Sequence, residues 1–552
     1  MSEATVSQSP RGDLFRGAAL MASGTAVSRA LGFVRAMVLI AAVGVTGQAA
    51  DAFAVANKLP NVLYMLLAGG ALNAVLVPQV VRAYKRDAGQ EYVDRLLTLG
   101  FALLAGSTLL LTIASPLLVR LYADPGDPAQ VALATAFAYW CVPQMFFYGV
   151  YGLLGQVLNA RGSFGPYMWA PVVNNVVSIV GFGLFIAVFG GASNPDVISA
   201  TGWSGLQVGV LAGAATLGIV AQALVLIPAL RATGVSYRPR WGLRGSGLGR
   251  AGSVATWTFA GLTIGQLGYL IGSRVASQAP QGARDVAGNA AYEFGFMLFM
   301  LPHSLVTVSL ATALFTRLSA QASDKDVDAA RATFSVGVRV VGVFTLVAAA
   351  LLVVLAEPVT RILLVGEGGA GVAATAPIVA AMAVGLPAFG AWSMCQRVFY
   401  AYEDAKGMVP IQVAMAVVVV GGTLAGRALL PSSSWVVGIG LAMSASYLVG
   451  TVLAMLRLRG HLGTVDAPAI LKTHLLAGLA AAAAFGAGWG ARRLLDDVLG
   501  SGVGDAALEC LAVSAVVGLV YLVVLRLLRV RELDLLAGPL LRKLGRGGSR
   551  PV

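Results

Sequence analysis

Charged and chemically reactive side chains are scarce in this chain of 552 residues. Only 11% of its residues are charged, and it has three cysteines and three histidines. The cysteines lie in apolar stretches without the spacing of a disulfide framework, and neither residue type shows metal-ligand spacing, so we expect no resident metal. These residues are Cys141, Cys395, Cys510, His303, His461 and His474.

Sequence motifs for cofactor binding are missing as well. The chain contains no P-loop, no Rossmann glycine pattern and no HExxH pair. The lack of a nucleotide-binding domain argues against an ATP-driven pump, and the few acidic residues in loops are too scattered for a glycosyltransferase centre. We therefore expect no cofactor and no enzyme activity.

Long apolar runs dominate the sequence. Hydrophobic residues make up 58% of the chain, in repeated stretches of about 20, the length of a membrane-spanning helix. These stretches are continuous rather than alternating at period two, which excludes a transmembrane β-barrel. The 68 glycines are typical of membrane helices that pack through small side chains. The sequence predicts an all-α polytopic membrane protein.

Fourteen transmembrane helices are predicted from the apolar runs. Their approximate limits are 17–43, 50–79, 95–119, 130–156, 165–190, 204–230, 250–278, 287–316, 332–356, 372–400, 408–430, 434–456, 467–491 and 505–528. With both termini cytoplasmic, 26 of the 38 lysines and arginines fall in inner segments, six in outer segments and six within spans. This bias satisfies the positive-inside rule. Topology thus explains the net charge of +13, with anionic lipid headgroups rather than nucleic acid as the partner of the basic loops.

The chain is predicted to contain two pseudo-symmetric six-helix lobes and a C-terminal helix pair. Pro143 and Pro166 are 23 residues apart around spans four and five, as Pro387 and Pro410 are around spans ten and eleven. Duplicated lobes are typical of transporters. The predicted domains are a cytoplasmic N-terminal tail at 1–16, an N-lobe at 17–240, a C-lobe at 241–460, the helix pair at 461–530 and a cytoplasmic C-terminal tail at 531–552.

Basic residues at membrane depth indicate the candidate site. Arg29 and Arg35 lie six residues apart in span one, about 9 Å along a helix, without an acidic neighbour in sequence. An arginine at mid-bilayer depth costs roughly 2.5–3.5 kcal/mol, so it normally faces a bundle interior or a wet cavity. With Lys58 in span two, this pattern predicts a binding site for an anion. Arg339 and Arg397, by contrast, are expected at helix ends or in packing contacts.

Three further intramembrane charges allow a functional or a structural interpretation. Asp51 lies two turns before Lys58, on the face that would line the same cavity wall. Arg274 in span seven and Glu293 in span eight are near enough in the predicted hairpin to pair in one state, and Arg274 would turn to the anion in another. The alternative for Asp51, Arg274 and Glu293 is a structural ion pair or a snorkelling group near the interface.

The residues of spans one and two resemble those of the MurJ/MviN family, the lipid II flippases of the multidrug/oligosaccharidyl-lipid/polysaccharide exporter superfamily. The layout of fourteen spans extends this resemblance over nearly the whole chain. The matching segments are SRALGFVR at 28–35, DAF at 51–53, KLPN at 58–61, the stretch from Ala71 to Pro78, and Leu158–Ala160.

The resemblance implies two lobes around a central cationic cavity that is lined by spans one, two, seven and eight and opens in turn to each side of the membrane. Arg29 and Arg35 would hold the diphosphate of the undecaprenyl-linked cargo, and spans thirteen and fourteen would form a groove for its polyprenyl tail. The implied substrate-binding residues are Ser28, Arg29, Arg35, Asp51, Lys58, Arg274 and Glu293.

The chain departs from the family pattern in both lobes. Tyr64 and Met65 follow KLPN where many members carry a basic residue, and two glycines at 69–70 stand where members have an acid. Span eight lacks the family's arginine, which leaves Arg274 as the one deep basic candidate of the C-lobe. Spans eleven and twelve lack carboxylates, so no sodium site is predicted.

The predicted function is transfer of lipid II from the inner to the outer leaflet of the bacterial cytoplasmic membrane by alternating access, without ATP hydrolysis. Alternatives are a flippase for another polyprenyl-diphosphate oligosaccharide, a multidrug exporter of the same superfamily, or a membrane scaffold of a cell-wall complex. Two deep arginines favour a diphosphate cargo over a drug, and a scaffold would tolerate their loss. Expected partners are lipid II and membrane lipids, with cell-wall synthesis proteins as candidates and no nucleic acid.

Overall fold

The protein is helical throughout the residues that the computed structural model describes, which are 10–67, 90–124, 126–241, 248–279, 286–364 and 368–533. None of these residues lies in a β-strand, so the predicted all-α class is confirmed. Each predicted span falls on one helix or on consecutive helices. The end of span two, with the stretch from Ala71 to Pro78, lies outside the described residues.

The helices are numbered here in chain order. The first eleven are α1 (Pro10–Val43), α2 (Gln48–Leu67), α3 (Gln90–Ile113), α4 (Ser115–Tyr122), α5 (Pro128–Cys141), α6 (Gln144–Ala160), α7 (Gly165–Phe189), α8 (Pro195–Ile198), α9 (Gly205–Leu224), α10 (Leu226–Ala232) and α11 (Leu248–Ser277). The next ten are α12 (Asn289–Pro302), α13 (Val308–Ser323), α14 (Val327–Val354), α15 (Ala356–Leu363), α16 (Gly368–Ala383), α17 (Leu386–Ala401), α18 (Ala405–Leu429), α19 (Trp435–Leu462), α20 (Ala467–Asp496) and α21 (Val503–Leu527). A π-helical segment, His303–Thr307, joins α12 to α13.

Most of the predicted spans have the length and apolar composition to cross a membrane. Eleven helical segments of the described chain meet both requirements, or twelve when α16 and α17, which are bent by 46° at their junction, count as one span. The two predicted spans outside this set are α2 and α11, which have 20 and 30 residues and carry Asp51, Lys58 and Arg274. Three of the seven predicted site residues therefore lie on the two helices that are least like ordinary membrane spans.

The chain forms two compact units, Met1–Thr263 and Ile264–Val552. The boundary between them lies within α11, further along the chain than the predicted lobe boundary at 240/241. The predicted lobes, lipid-tail groove and tails remain predictions, and each unit is described below by itself.

Polar side chains of α7 hold α1 and α9 in place within the first unit. Asn175 Nδ2 donates to the backbone oxygen of Ser28 in α1 at 2.8 Å. On α9, Gly218 leaves room for Asn174, whose Nδ2 donates to Gln222 Oε1 at 2.9 Å. Since buried polar groups are costly without partners, these bonds fix the register of three neighbouring helices.

Prolines mark equivalent breaks in the two units. Pro143 directly precedes α6, and Pro387 lies in the first turn of α17, so each interrupts a predicted span. Pro166 starts α7, whereas Pro410 lies inside α18. A proline has no N–H to donate and its ring clashes with the preceding turn, which is why spans four and ten are broken rather than continuous.

The C-terminal helices α20 and α21 pack on α14 in the second unit. Their buried interface is built from small residues such as Ala477, Ala480 and Ala484, together with valines of α14 and α21. The Tyr521 hydroxyl donates to the backbone oxygen of Val343 at 2.6 Å. The helix pair is therefore fixed to its unit by close packing as well as by polar contacts.

Candidate functional site

The candidate site begins at the corner between α1 and α2, where the sequence predicts a turn near Gly47. Gly47 has a φ of +106°, and a Cβ atom on it would lie 2.7 Å from Ile198, so only glycine fits this confirmed turn. The Asp51 N–H donates to the Gly47 oxygen at 3.2 Å. The Asp51 side chain is fully buried in the first turn of α2, where the helix dipole favours a negative charge.

The basic residues of the site are partly buried rather than exposed. Arg29 and Arg35 on α1 and Lys58 on α2 all have this intermediate exposure, as does Ser28. Arg29 and Lys58 each make at least one polar, ring or electrostatic contact. Their depth in the membrane and their role in binding both remain proposals.

Arg35 has a tyrosine as its neighbour and no carboxylate. It lies close enough to Tyr148 of α6 for its charge to act on that hydroxyl. Among the described residues, Arg35 forms no ion pair and no hydrogen bond. A partly buried guanidinium without a counterion is electrostatically costly, so the arrangement suits an anion that arrives from outside the protein.

Sequence reasoning missed Tyr148 beside Arg35 and the tyrosines near it in the first unit. The rings of Tyr64 and Tyr148 are 5.9 Å apart, and Tyr151 and Tyr167 stack at 4.7 Å. Tyr64 stands where the family resemblance led us to expect a basic residue, so this position has a phenol hydroxyl and no charge. The signal in the sequence was the spacing of Tyr148 and Tyr151, which puts both on one face of a helix.

In the second unit, Glu293 pairs with a tyrosine and not with Arg274. The Tyr269 hydroxyl of α11 donates to Glu293 Oε1 at 3.0 Å. Arg274, one turn further along α11, is partly buried and makes no ion pair within the described part of the chain. Asn289 joins the two helices, because its Nδ2 donates to the oxygen of Ser273 at 3.1 Å. The predicted hairpin is present, and the proposed exchange of Arg274 between partners remains a prediction.

Other intramembrane arginines are engaged in structural contacts. Arg339 forms an ion pair with Glu532 at 2.7 Å, and Arg397 lies over the ring of Phe315 at 5.7 Å. Arg492 directly follows the predicted end of span thirteen at 491 and lies within α20, which continues to Asp496. Its side chain bonds two glutamates.

The histidines occupy structural positions. His461 Nε2, at the end of α19, lies 2.9 Å from Asp404 Oδ2, and His474 Nδ1 lies 2.9 Å from the backbone oxygen one turn earlier. His303 is buried in the π-helical segment, with its ring 4.2 Å from that of Phe389. Within the described residues, no group of three or more histidines, cysteines or acidic residues is placed to hold a metal ion.

Comparison with known proteins identifies the family. A protein-family model described as "Lipid II flippase MurJ" matches residues 40–501, well over half of the chain. The chain belongs to the MurJ family. The probable lipid II flippase MurJ of Haemophilus influenzae is 27% identical over 444 residues, covering 76% of this chain and 82% of that protein. The corresponding protein of Synechocystis sp. is 25% identical over 538 residues, covering 96% of this chain and 97% of its own.

The structure of this chain also has the fold of a solved MurJ protein. A solved structure of a lipid II flippase MurJ in an inward closed conformation matches with a TM-score of 0.68 at 18% identity, covering 95% of this chain and 99% of the other. Membership of the MurJ family makes this chain a transporter rather than an enzyme, and a multi-pass protein of the bacterial cytoplasmic membrane, as predicted. The residues matched by the family model begin after Arg35, so the proposed role of α1 depends on the contacts described above.

Proposed function

We propose that this protein moves lipid II from the inner to the outer leaflet of the bacterial cytoplasmic membrane by alternating access. The observation that carries the proposal is membership of the MurJ family. Family membership also favours lipid II as the cargo. The proposed anion site on α1 argues separately against a drug exporter and against a scaffold, since neither needs such a site. Cell-wall synthesis proteins remain candidate partners.

Arg29 and Arg35 are the proposed contacts to the diphosphate. A guanidinium presents two parallel N–H donors to a phosphate, which the single ammonium of lysine cannot reproduce. Arg35 supports this role because it has no counterion among the described residues and is held on a helix that Asn175 fixes in place. Ser28, Asp51 and Lys58 would shape the same wall. Arg274 and Glu293 would serve the cargo from the second unit.

The proposal is tested by replacing each arginine in cells whose own flippase can be depleted. Arg29→Ala and Arg35→Ala should lose complementation while still reaching the membrane, and the Arg→Lys variants should recover it only in part. Hydrogen bonds to a charged group contribute about 1.5–3 kcal/mol, so transport should fall roughly 10- to 100-fold.

The matched control is Arg427→Ala, which removes an exposed arginine from the last turn of α18. That variant should complement fully. Growth supported by both alanine variants at normal expression would contradict the anion site. Lipid II that reaches the outer leaflet at the normal rate after depletion of the protein would contradict the function itself.

We also propose that both termini are cytoplasmic, which the bias of basic residues supports. Ser323 and Ser433 are exposed in loops predicted to lie on opposite sides of the membrane. In a chain whose Cys510 is replaced by serine, Ser433→Cys should react with an impermeant thiol reagent in intact cells and Ser323→Cys should not. The reverse pattern would overturn the topology.

A further inference from the structure

An apolar cavity of 770 Å³ lies in the first unit, away from the arginines of α1. Its walls are the start of α3, the middle of α6, the junction of α9 and α10, and the chain segment that follows α10. Cavities of roughly 300–1,000 Å³ with mainly apolar and aromatic linings are typical ligand sites. The lining residues are Leu97, Phe101, Phe146, Phe147, Val150 and Leu154, then Leu224, Ile227, Leu230 and Arg231, and finally 234–237.

The segment 234–241 is fastened down as a fixed wall of this cavity. Val235 is buried, and the ring of Tyr237 meets that of Phe101 edge-on at 5.6 Å. Thr98 Oγ1 lies 2.9 Å from the Tyr237 hydroxyl and accepts from the Arg240 backbone N–H at 3.0 Å. This part of the linker between the predicted lobes therefore belongs to the first unit, and it encloses a space that α3, α6 and α10 alone would leave open.

Arginines lie in the lining of the cavity and directly after its last segment. Arg231 lines it, and Arg238 follows one residue after the lining segment; both are exposed and neither forms an ion pair with a described residue. Arg240 differs, because it pairs with Glu91 at 3.0 Å. The hydrogen bond and charge of Arg240, together with the charge of Arg95, hold the pKa of Glu91 below its ordinary value, so that carboxylate stays ionised and offsets those two arginines. Arg231 and Arg238 remain uncompensated.

The cavity also has an exposed apolar residue in its lining, at the surface of the first unit. Leu224, one of the lining residues, is 48% exposed near the end of a predicted membrane span. In a bilayer such a residue is in contact with lipid, and an empty apolar space would forfeit dispersion contacts on all its walls. An acyl chain fills the space without leaving a polar group unsatisfied, whereas water would find few hydrogen-bond partners there.

We propose that this cavity binds one acyl chain of an anionic phospholipid of the cytoplasmic leaflet, with the lipid phosphate at Arg231. The combination of an apolar cavity, an exposed apolar lining residue and an arginine without an ion-pair partner in the lining fits an amphiphile with one negative headgroup. Because the cavity is separate from the arginines of α1, the proposal holds whatever cargo the protein carries.

The test is native mass spectrometry of the full-length protein in detergent, titrated with dioleoylphosphatidylglycerol or dioleoylphosphatidylcholine. The unmodified protein should retain the anionic lipid more tightly. A basic residue near an anionic headgroup contributes about 1 kcal/mol, so Arg231→Gln should weaken phosphatidylglycerol binding roughly fivefold. Phosphatidylcholine binding should weaken by less, because its choline group offsets the charge of its phosphate. Arg457→Gln, at an exposed arginine of α19 in the other unit, is the matched control and should change nothing.

A second pair of variants tests the cavity itself. Val150→Trp fills it from α6 and should reduce retention of both lipids, whereas Val180→Trp, at an exposed position of α7, should not. Equal binding of the two lipids by the unmodified protein would overturn the assignment of the headgroup. Unchanged retention in Val150→Trp would overturn the assignment of the cavity. Tighter retention of undecaprenyl phosphate than of either phospholipid would assign the cavity to a polyprenyl chain and overturn the proposal.

Discussion

Arg35 in the first unit and Arg492 in the second are both arginines in membrane helices, and their surroundings are opposite. Arg35 has only Tyr148 as an electrostatic neighbour among the described residues. Arg492 Nε donates to Glu509 Oε1 at 2.9 Å, and its Nη2 donates to Glu357 Oε2 at 2.5 Å. A buried charge is tolerated when a partner of opposite sign is close.

The difference separates arginines that hold the fold from arginines that are available to a ligand. Arg492 joins α20 to α15 and α21, and Arg339 joins α14 to Glu532 beyond α21. Arg492 also donates to the Val354 oxygen at the end of α14 at 3.2 Å, whereas Arg339 lies near the middle of that helix, so the C-terminal helix pair is held at two places along α14. Arg35 makes no such ion pair among the described residues, which is why we propose it as a contact to an anion.

The largest expected effect is the contrast between Arg492→Ala and Arg35→Ala when both stability and transport are measured. Arg492→Ala leaves Glu509, whose side chain is 4% exposed, without its partner, so the free energy of unfolding should fall by about 3 kcal/mol. Arg35→Ala should leave the unfolding temperature in detergent unchanged and lower transport roughly 10- to 100-fold. The control is Arg493→Ala, which loses only a stacking contact with Trp489 at 4.0 Å and should cost under about 1 kcal/mol. Equal unfolding temperatures for the Arg35 and Arg492 variants would remove the distinction.

An intermediate effect is expected for Arg339 and Glu532. Arg339→Ala leaves Glu532 buried beside only the Thr473 hydroxyl, which donates to it at 3.3 Å, and should destabilise the protein by about 2 kcal/mol. The double variant Arg339→Met with Glu532→Leu replaces the pair with apolar side chains and should recover most of that stability. Thermal unfolding of both variants in one detergent measures the difference. A double variant no more stable than the single one would mean that the pair also fixes the position of α21.

The sequence predicted the elements well because each depends on local composition. Continuous apolar runs located the spans, glycine at position 47 located the first turn, and prolines 143 and 387 lie where spans four and ten break. The depth of Arg29 and Arg35 followed from their positions within one such run. These features require no knowledge of distant contacts.

Contacts between distant residues could not be predicted in the same way. Tyr148 reaches Arg35 across more than a hundred positions, and Arg492 meets Glu357 across 135. Nothing in the local pattern distinguishes a linker that docks on α3 from one in solvent, so the wall at 234–241 was missed. Span thirteen was predicted to end just before Arg492 for the same reason, since the two glutamates that pair with it lie on other helices.

The smallest expected effect concerns Glu293, which belongs to neither class. Its carboxylate is partnered by the Tyr269 hydroxyl, a neutral donor that leaves the charge in place. If Arg274 moves to Glu293 in another state, Tyr269 and Arg274 compete for one acceptor, and removing the tyrosine hydroxyl should favour the state with the ion pair. A neutral hydrogen bond contributes about 1 kcal/mol, so Tyr269→Phe should shift the balance of states roughly fivefold without loss of binding.

A switch, in which Arg274 pairs with Glu293 in one state and turns to the anion in another, differs from a static contact in how the three variants rank. A switch requires that Arg274→Ala abolish transport, that Glu293→Ala keep cargo binding and change only the populations of states, and that Tyr269→Phe shift those populations. The populations can be followed by the distance between spin labels placed at the exposed positions 267 in α11 and 417 in α18. A static contact would give mild and equal losses for Arg274→Ala and Glu293→Ala, as exposed ion pairs do. That result would place Arg274 with Arg339 and Arg492, among the residues that stabilise the fold, and would leave Arg29 and Arg35 as the only proposed contacts to the diphosphate.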